Sequence, residues 1–187
     1  MPSPPPVPPH EGGAPATDRA PADLESDGVE GDDLQGDDLT TWSGLATLLE
    51  WLPARLDEQL QRDSGMSHFE FGVLYALGRA PERTLRMSVL AGYANSSLTR
   101  LSRAVARLER RSWVRRRPDP ADGRYTLAVL TDEGAEEVER ATPGHAAAVR
   151  RLVLAPLTTT QQRQLRVITQ RLLEAAGPGQ AWALPGG

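Results

Sequence analysis

Nine arginines (Arg100, Arg103, Arg107, Arg110, Arg111, Arg115, Arg116, Arg117 and Arg124) crowd the stretch Asn95–Arg124, NSSLTRLSRAVARLERRSWVRRRPDPADGR. Only three acids accompany them, Glu109, Asp119 and Asp122, so the local balance is +6 in a chain whose formal charge is −4. A basic island in an acidic protein calls for an anionic partner, and phosphate is the obvious one. The spacing adds direction. At roughly 100° per residue, Ser96, Arg100, Arg103, Arg107 and Arg110 share one side of a helix over 95–111. Leu98, Leu101, Val105 and Leu108 share the other, which can bury against a core while the charged side faces outward.

Several elements must position that helix. Leu45, Leu48, Leu49, Leu52, Leu56 and Leu60 form a leucine stripe in a helix expected to begin near Thr41 and to kink or break at Pro53. Ser67 and Glu70 make an S-x-x-E capping box, with Met66 and Phe71 placed as a hydrophobic staple. The helix they open carries Phe71, Val73, Leu74, Tyr75 and Leu77 and ends near Gly78–Pro81. A short helix from Arg86 to Tyr93 follows. A tight link through Ala94–Asn95 then leads into the basic helix, capped by Asn95 or Ser96. Two helices joined by a tight turn, the second with a basic stripe, have helix-turn-helix geometry. Trp113–Arg117 and Tyr125–Leu130 read as strands around the turn cluster PDPADG, a hairpin wing over 114–130. Thr131 with Asp132 and Glu133 starts a helix expected to reach about Leu154, bent at Pro143–Gly144. Thr158 and Gln161 form a second capping box before a last helix with Leu165, Ile168 and Leu172 on one face.

The expected fold is thus mostly α with a small β-hairpin wing: a winged helix-turn-helix domain plus a flanking helical region. Its parts are a DNA-binding core at about 66–130 and flanking helices at about 41–63 and 131–176. Residues 1–40 hold ten acids, one arginine, eight of the sixteen prolines and no aromatic residue, whereas 41–187 carry a net charge of +5. The first segment is expected to be a disordered acidic tail, because it has too little apolar surface to offset its ordering entropy. It reads as a solvated extension (or the product of an upstream start) ahead of a device that competes with DNA. Residues 177–187 are expected to be a flexible tail.

Other function classes find little support. The chain has no cysteine and no lysine, which removes disulfides, thiolate metal sites and cysteine redox sensing. No glycine-rich phosphate loop, G-x-S-x-G or clustered His/Asp/Glu triad points to an enzyme, and no cofactor is implied. His10, His68 and His145 fit no metal-ligand spacing. Apolar runs are too short for a bilayer span and no secretory signal is visible, so a cytoplasmic protein is expected.

The run TLRMSVLA, then NSSLTRLSRAVARLERRSWV, then RRPDPADGRYTLAVLTDEG resembles the MarR family of bacterial winged-helix regulators over about 41–176. Its strongest marks are D-x-R in the wing (Asp122, Arg124) and V-L-T-x-x-G (Val129, Leu130, Thr131, Gly134). The resemblance implies a homodimer of interlocked first and last helices, which makes the helices at about 41–63 and 131–176 a helical dimerisation region. It also implies a double-stranded, pseudo-palindromic DNA operator read by one recognition helix per major groove, usually in repression, with release by a small aromatic or phenolic effector. The link before the basic helix is shorter than in much of the family, as in one actinobacterial-type subgroup. Ser112 stands where the family often has glycine, which would cost roughly 1 kcal/mol if φ there is positive.

By facing and by this resemblance, direct DNA contact is expected from Asn95, Ser96, Ser97, Thr99, Arg100 and Arg103, with Arg124 on the wing. Arg100 or Arg103 could contact guanine bidentately, worth roughly 1–3 kcal/mol of discrimination. Arg107 and Arg110 lie nearer backbone phosphate or solvent, and Asp122 should pair with an arginine and shape the wing. Trp42, Trp51, His68, Phe71 and Tyr75 are the candidate effector pocket, although aromatics at helical spacing serve core more often than pocket. The rival reading is a non-enzymatic protein-interaction module using the helical dimer and the acidic tail.

Overall fold

The computed structural model describes residues 33–177; the expectations for 1–32, for the tail after Gly177 and for His10 lie outside the described residues. The chain divides into two units, 1–40 and 41–187. Helix α1 (Gly36–Ser64) starts five residues before the expected Thr41. Gly36 adopts φ +56°, and Asp37 and Asp38 occupy the first turn, where the helix's positive end favours them. The acids that make this stretch look like tail therefore also suit a helix start. Nor does α1 break at Pro53: the helix runs without interruption across it. Leu49, whose carbonyl loses its partner, is 59% exposed, on the side where water can replace the missing N–H.

Helix α2 (His68–Arg79) forms as expected. The Ser67 hydroxyl accepts the Glu70 N–H at 3.1 Å, and Glu70 Oε2 accepts the Ser67 N–H at 2.9 Å. Met66 and Phe71, the staple pair, are both buried in the core. After a 3-10 turn (Pro81–Arg83) comes strand β1 (Thr84–Arg86), then α3 (Met87–Tyr93) and α4 (Leu98–Arg110). Strands β2 (Val114–Pro118) and β3 (Thr126–Leu130) make the expected wing hairpin. Strand β1, absent from the sequence reading, pairs antiparallel with β3 and gives the order β1-β3-β2. Three residues are too few for alternation to be visible, and only the partner edge of β3 makes them a strand.

The core gathers Leu60 of α1, Val73, Leu74 and Leu77 of α2, Leu90 of α3, and Leu101, Val105 and Leu108 of α4. Leu98, expected on this face, is 53% exposed; Ala104 is buried instead. Helix α4 starts at Leu98, so its first turn projects past the core.

Helix α5 (Asp132–Val149) opens on Thr131, whose hydroxyl accepts the Gly134 N–H at 3.0 Å and donates to the Ser112 carbonyl at 2.7 Å. Gly134 explains the L-T-x-x-G spacing: any Cβ there would run into the Trp113 carbonyl oxygen. Pro143 sits inside α5 without interrupting it, and a π-helical turn over Arg150–Leu154 completes the expected length. At Gly144 a Cβ would come within 3.3 Å of Gln59 Nε2 and Asp63 Oδ2 of α1, so the two helices approach closely there. Helix α6 (Thr159–Ala176) has the expected Thr158/Gln161 capping box and buries none of its residues.

Candidate nucleic-acid interface

The turn before α4 is longer than the expected Ala94–Asn95 link, since α3 ends at Tyr93 and α4 begins at Leu98. Asn95 takes φ +41°, a left-handed conformation that asparagine tolerates, and its N–H donates to the Gly92 carbonyl at 3.1 Å. The Ser96 N–H donates to the Ala91 carbonyl at 3.0 Å. Both residues are spent on the turn, and the helix cap falls to Ser97, whose hydroxyl accepts the Arg100 N–H at 3.2 Å. The cap expected at Asn95 or Ser96 thus lies one or two residues later, at Ser97. Ser97, Thr99, Arg100 and Arg103 are exposed on the projecting start of α4, and Ser96 is half-buried.

The nine arginines sort by what holds them. Arg107 Nε donates to Glu70 Oε1 at 2.6 Å. Arg116 binds Glu109, with Nε to Oε2 at 2.7 Å. Arg111 reaches the Gly65 carbonyl at 2.7 Å and lies over the Trp113 ring at 4.7 Å. Arg124 is 85% exposed, yet its guanidinium meets both Asp122 oxygens, the shortest contact being 2.7 Å. Arg100 stacks over Phe69 at 4.5 Å. Among the described residues no ion pair engages Arg103, Arg110, Arg115 or Arg117. A cleft of about 380 Å³ lies between α2 and α4, lined by Asp57, Ser67, Phe69, Ser97, Thr99, Arg100, Arg103 and Arg107.

The wing has two acidic fasteners, of which sequence reasoning named one. Asp122 pairs with Arg124 as expected, and that guanidinium holds its carboxyl below the usual range. Asp119 was missed. It is 7% exposed, accepts the Ala121 N–H at 2.9 Å, and takes Arg86 Nε of β1 at 2.7 Å. Arg86 also lies over the Tyr125 ring at 4.5 Å. The wing base is therefore fastened across the sheet, and the signal for it was β1 itself.

A second concavity, about 490 Å³, lies between α2 and α5. His68, Phe71, Gly72 and Tyr75 line it from α2, and Thr142, His145 and Ala146 from α5. Three of the five pocket candidates are here. Trp42 and Trp51 are not: they stand 52% and 61% exposed on α1, because the cavity is made by α2 and α5 rather than by the leucine-striped helix. His145 was considered only for metal spacing, yet its ring is 4.6 Å from Phe71 and 5.3 Å from His68, centroid to centroid. Its Nδ1 is buried without a hydrogen-bond partner among the described residues. Burial holds both imidazoles below the ordinary 6.5; the neighbouring Asp57 charge partly counters this at His68, and the facing His68 further opposes protonation of His145. Among the described residues no group of three or more metal-ligating side chains forms, and no helix is long and apolar enough to cross a membrane.

A family model described as the MarR family matches residues 64–124. The crystal structure of Sco3205, a MarR family transcriptional regulator from Streptomyces coelicolor in complex with DNA, is 43% identical, with a TM-score of 0.76. The match covers 84% of this chain and 98% of that one. The chain belongs to the MarR family. A second MarR regulator from Streptomyces coelicolor, AbsC, is 28% identical over 79% of this chain and 99% of its own, with a TM-score of 0.74. The transcriptional repressor MprA of Escherichia coli K12 is 30% identical over 115 residues, which is 62% of this chain and 65% of the repressor's length. The MarR winged-helix architecture, helices around a small three-stranded antiparallel sheet, is the architecture described above, and MarR proteins are transcription regulators, not enzymes.

Proposed function

We propose that this MarR protein is a cytoplasmic homodimer that binds a pseudo-palindromic DNA operator and represses transcription from it. In this reading α4 enters the major groove and the β2–β3 wing follows the adjacent backbone. The observation that carries it is the exposed start of α4. Ser97, Thr99 and Arg103 project beyond the core there, at the positive end of a helix whose other face is buried. The structure of Sco3205 with DNA and the repressor role of MprA support the reading. The exposed Val167, Ile168, Leu172 and Leu173 of α6 support a second copy as their cover. A small aromatic effector fits the α2–α5 cavity, whose walls are largely aromatic and whose polar groups are His68, His145, Tyr75 and Thr142.

Binding to the gene's own upstream region, compared with random duplex across a salt series, tests this. A steep loss of affinity with salt and a preference for the upstream region are expected. Arg103→Ala should weaken specific binding by about 1–3 kcal/mol and random binding less, leaving the dimer intact. Equal losses on both duplexes would reduce Arg103 to a phosphate contact. Wild-type protein with no upstream preference would refute the operator reading, and salt-insensitive partner binding would favour a protein-interaction module.

A further inference from the structure

The first turn of α2 grips two of the arginines that α4 presents. Phe69 lies under Arg100, and Glu70 binds Arg107. The second contact is the more constrained. Glu70 Oε2 is occupied by the Ser67 N–H at 2.9 Å and the Ser67 hydroxyl at 3.0 Å, and Oε1 takes Arg107 Nε at 2.6 Å. The Glu70 side chain is 9% exposed, while that of Arg107 is 48% exposed. Burial alone would raise the Glu70 carboxyl, but the bonds from Ser67 and Arg107 outweigh it and keep the group ionised. The carboxylate thus cannot turn away without opening the helix cap, and among the described residues Arg107 is the one cation paired with it.

We infer that Glu70 limits the affinity of the protein for DNA of any sequence by holding the Arg107 charge on the protein, outside the set of phosphate contacts. This rests on the DNA-binding reading above. A phosphate drawing Arg107 away would strand a buried carboxylate without its cation, and one released counterion does not compensate for that. Every phosphate contact strengthens binding to all sequences alike, so withholding one lowers specific and random binding together without touching base readout. The ratio of specific to random affinity stays where base readout sets it, while overall affinity and its salt dependence fall.

Glu70→Gln isolates the effect, because glutamine at this position preserves both capping-box bonds while removing the charge. The measurement is the slope of log affinity against log salt, read by fluorescence anisotropy on a random duplex. Glu70→Gln should steepen the slope by about 0.9, the increment for one added phosphate contact. Arg107→Ala should keep the wild-type slope, and Glu70→Gln/Arg107→Ala should return to it. A pair that merely braces the fold would shift thermal stability and leave all the slopes equal, which overturns the inference. A slope shallower by about 0.9 in Arg107→Ala alone would also overturn it, since Arg107 would already be touching phosphate. Arg107→Ala leaves the α2 cap untouched, so this arm does not depend on how Glu70→Gln folds. Absence of binding by wild-type protein refutes the DNA-binding reading itself, and differs from the other outcomes because no slope exists for any variant.

Discussion

Helices α4 and α6 both open on a hydroxyl cap, Ser97 and Thr158, and both carry an apolar stripe at helical spacing. Their surroundings differ completely. In α4 the residues Leu101, Ala104, Val105 and Leu108 are at most 1% exposed, whereas Val167, Ile168, Leu172 and Leu173 of α6 are 46–52% exposed. Helix α1 repeats the contrast within itself: Leu56 and Leu60 are buried near its end, and Leu48 and Leu49 are half or more exposed upstream. Periodicity records that a face is meant to be covered, not what covers it. The winged part is covered by its own chain, and the helical part is left with an apolar surface that the proposed second copy would close.

The largest expected effect breaks the helical side of this comparison. Each carboxylate placed in a closed apolar interface costs several kcal/mol, so Ile168→Asp/Leu172→Asp should raise the dimer dissociation constant by roughly four orders of magnitude or more. Analytical ultracentrifugation should find monomer, and near-ultraviolet circular dichroism should find the winged core's aromatic packing retained. A double variant that remains dimeric would mean that this face is covered by something other than a second copy.

The same contrast explains how much was legible in the sequence. The caps at Ser67, Thr131 and Thr158, the buried stripe of α4 and the Asp-Gly wing turn are local, and spacing alone carries them. The misses depend on distant chain. Strand β1 exists because β3 offers it an edge, and the α4 cap moved to Ser97 because the Asn95 and Ser96 N–H groups close the preceding turn on Gly92 and Ala91. Arg107 looked like a free basic residue because its partner, Glu70, is 37 positions away and already accounted for by its capping box. His145 entered the cavity unannounced for a similar reason: nothing near it in sequence indicates that Phe71 and His68 lie across from it.

The seam between the two regions should respond to pH. His68 belongs to the winged part and His145 to α5, and burial lowers both below 6.5. The folded state therefore favours neutral rings, and the unfolded state binds more protons just below that value. The resulting stability is fully present above pH 6.5 and is lost as pH falls through the lowered folded values. Asp57 moderates the effect at His68 and does not reverse it. Urea midpoints measured from pH 7.5 down to about 5, above the ordinary carboxylate range, should fall for wild type and fall less for His145→Gln. An unchanged pH dependence in the variant would remove the histidine pair as its source.

The smallest effect lies inside the covered region and sharpens the contrast from the other side. Ser112 follows α4 with φ +61°, a left-handed conformation in which its Cβ is strained. The position is fixed from both sides: the Ser112 N–H donates to the Glu109 carbonyl at 2.9 Å, and the Ser112 carbonyl accepts the Thr131 hydroxyl at 2.7 Å. The backbone cannot relax without loosening the start of α5, so the strain persists. Ser112→Gly should stabilise the fold by up to about 1 kcal/mol, less whatever glycine's freer unfolded chain takes back. Because the gain is made within one chain, the difference between variant and wild-type urea midpoints should not depend on protein concentration. For α6 variants such as Leu172→Ala, the deficit should shrink as the protein is diluted and dimer gives way to monomer. A Ser112→Gly gain that changed with concentration would place this turn on the helical side of the comparison.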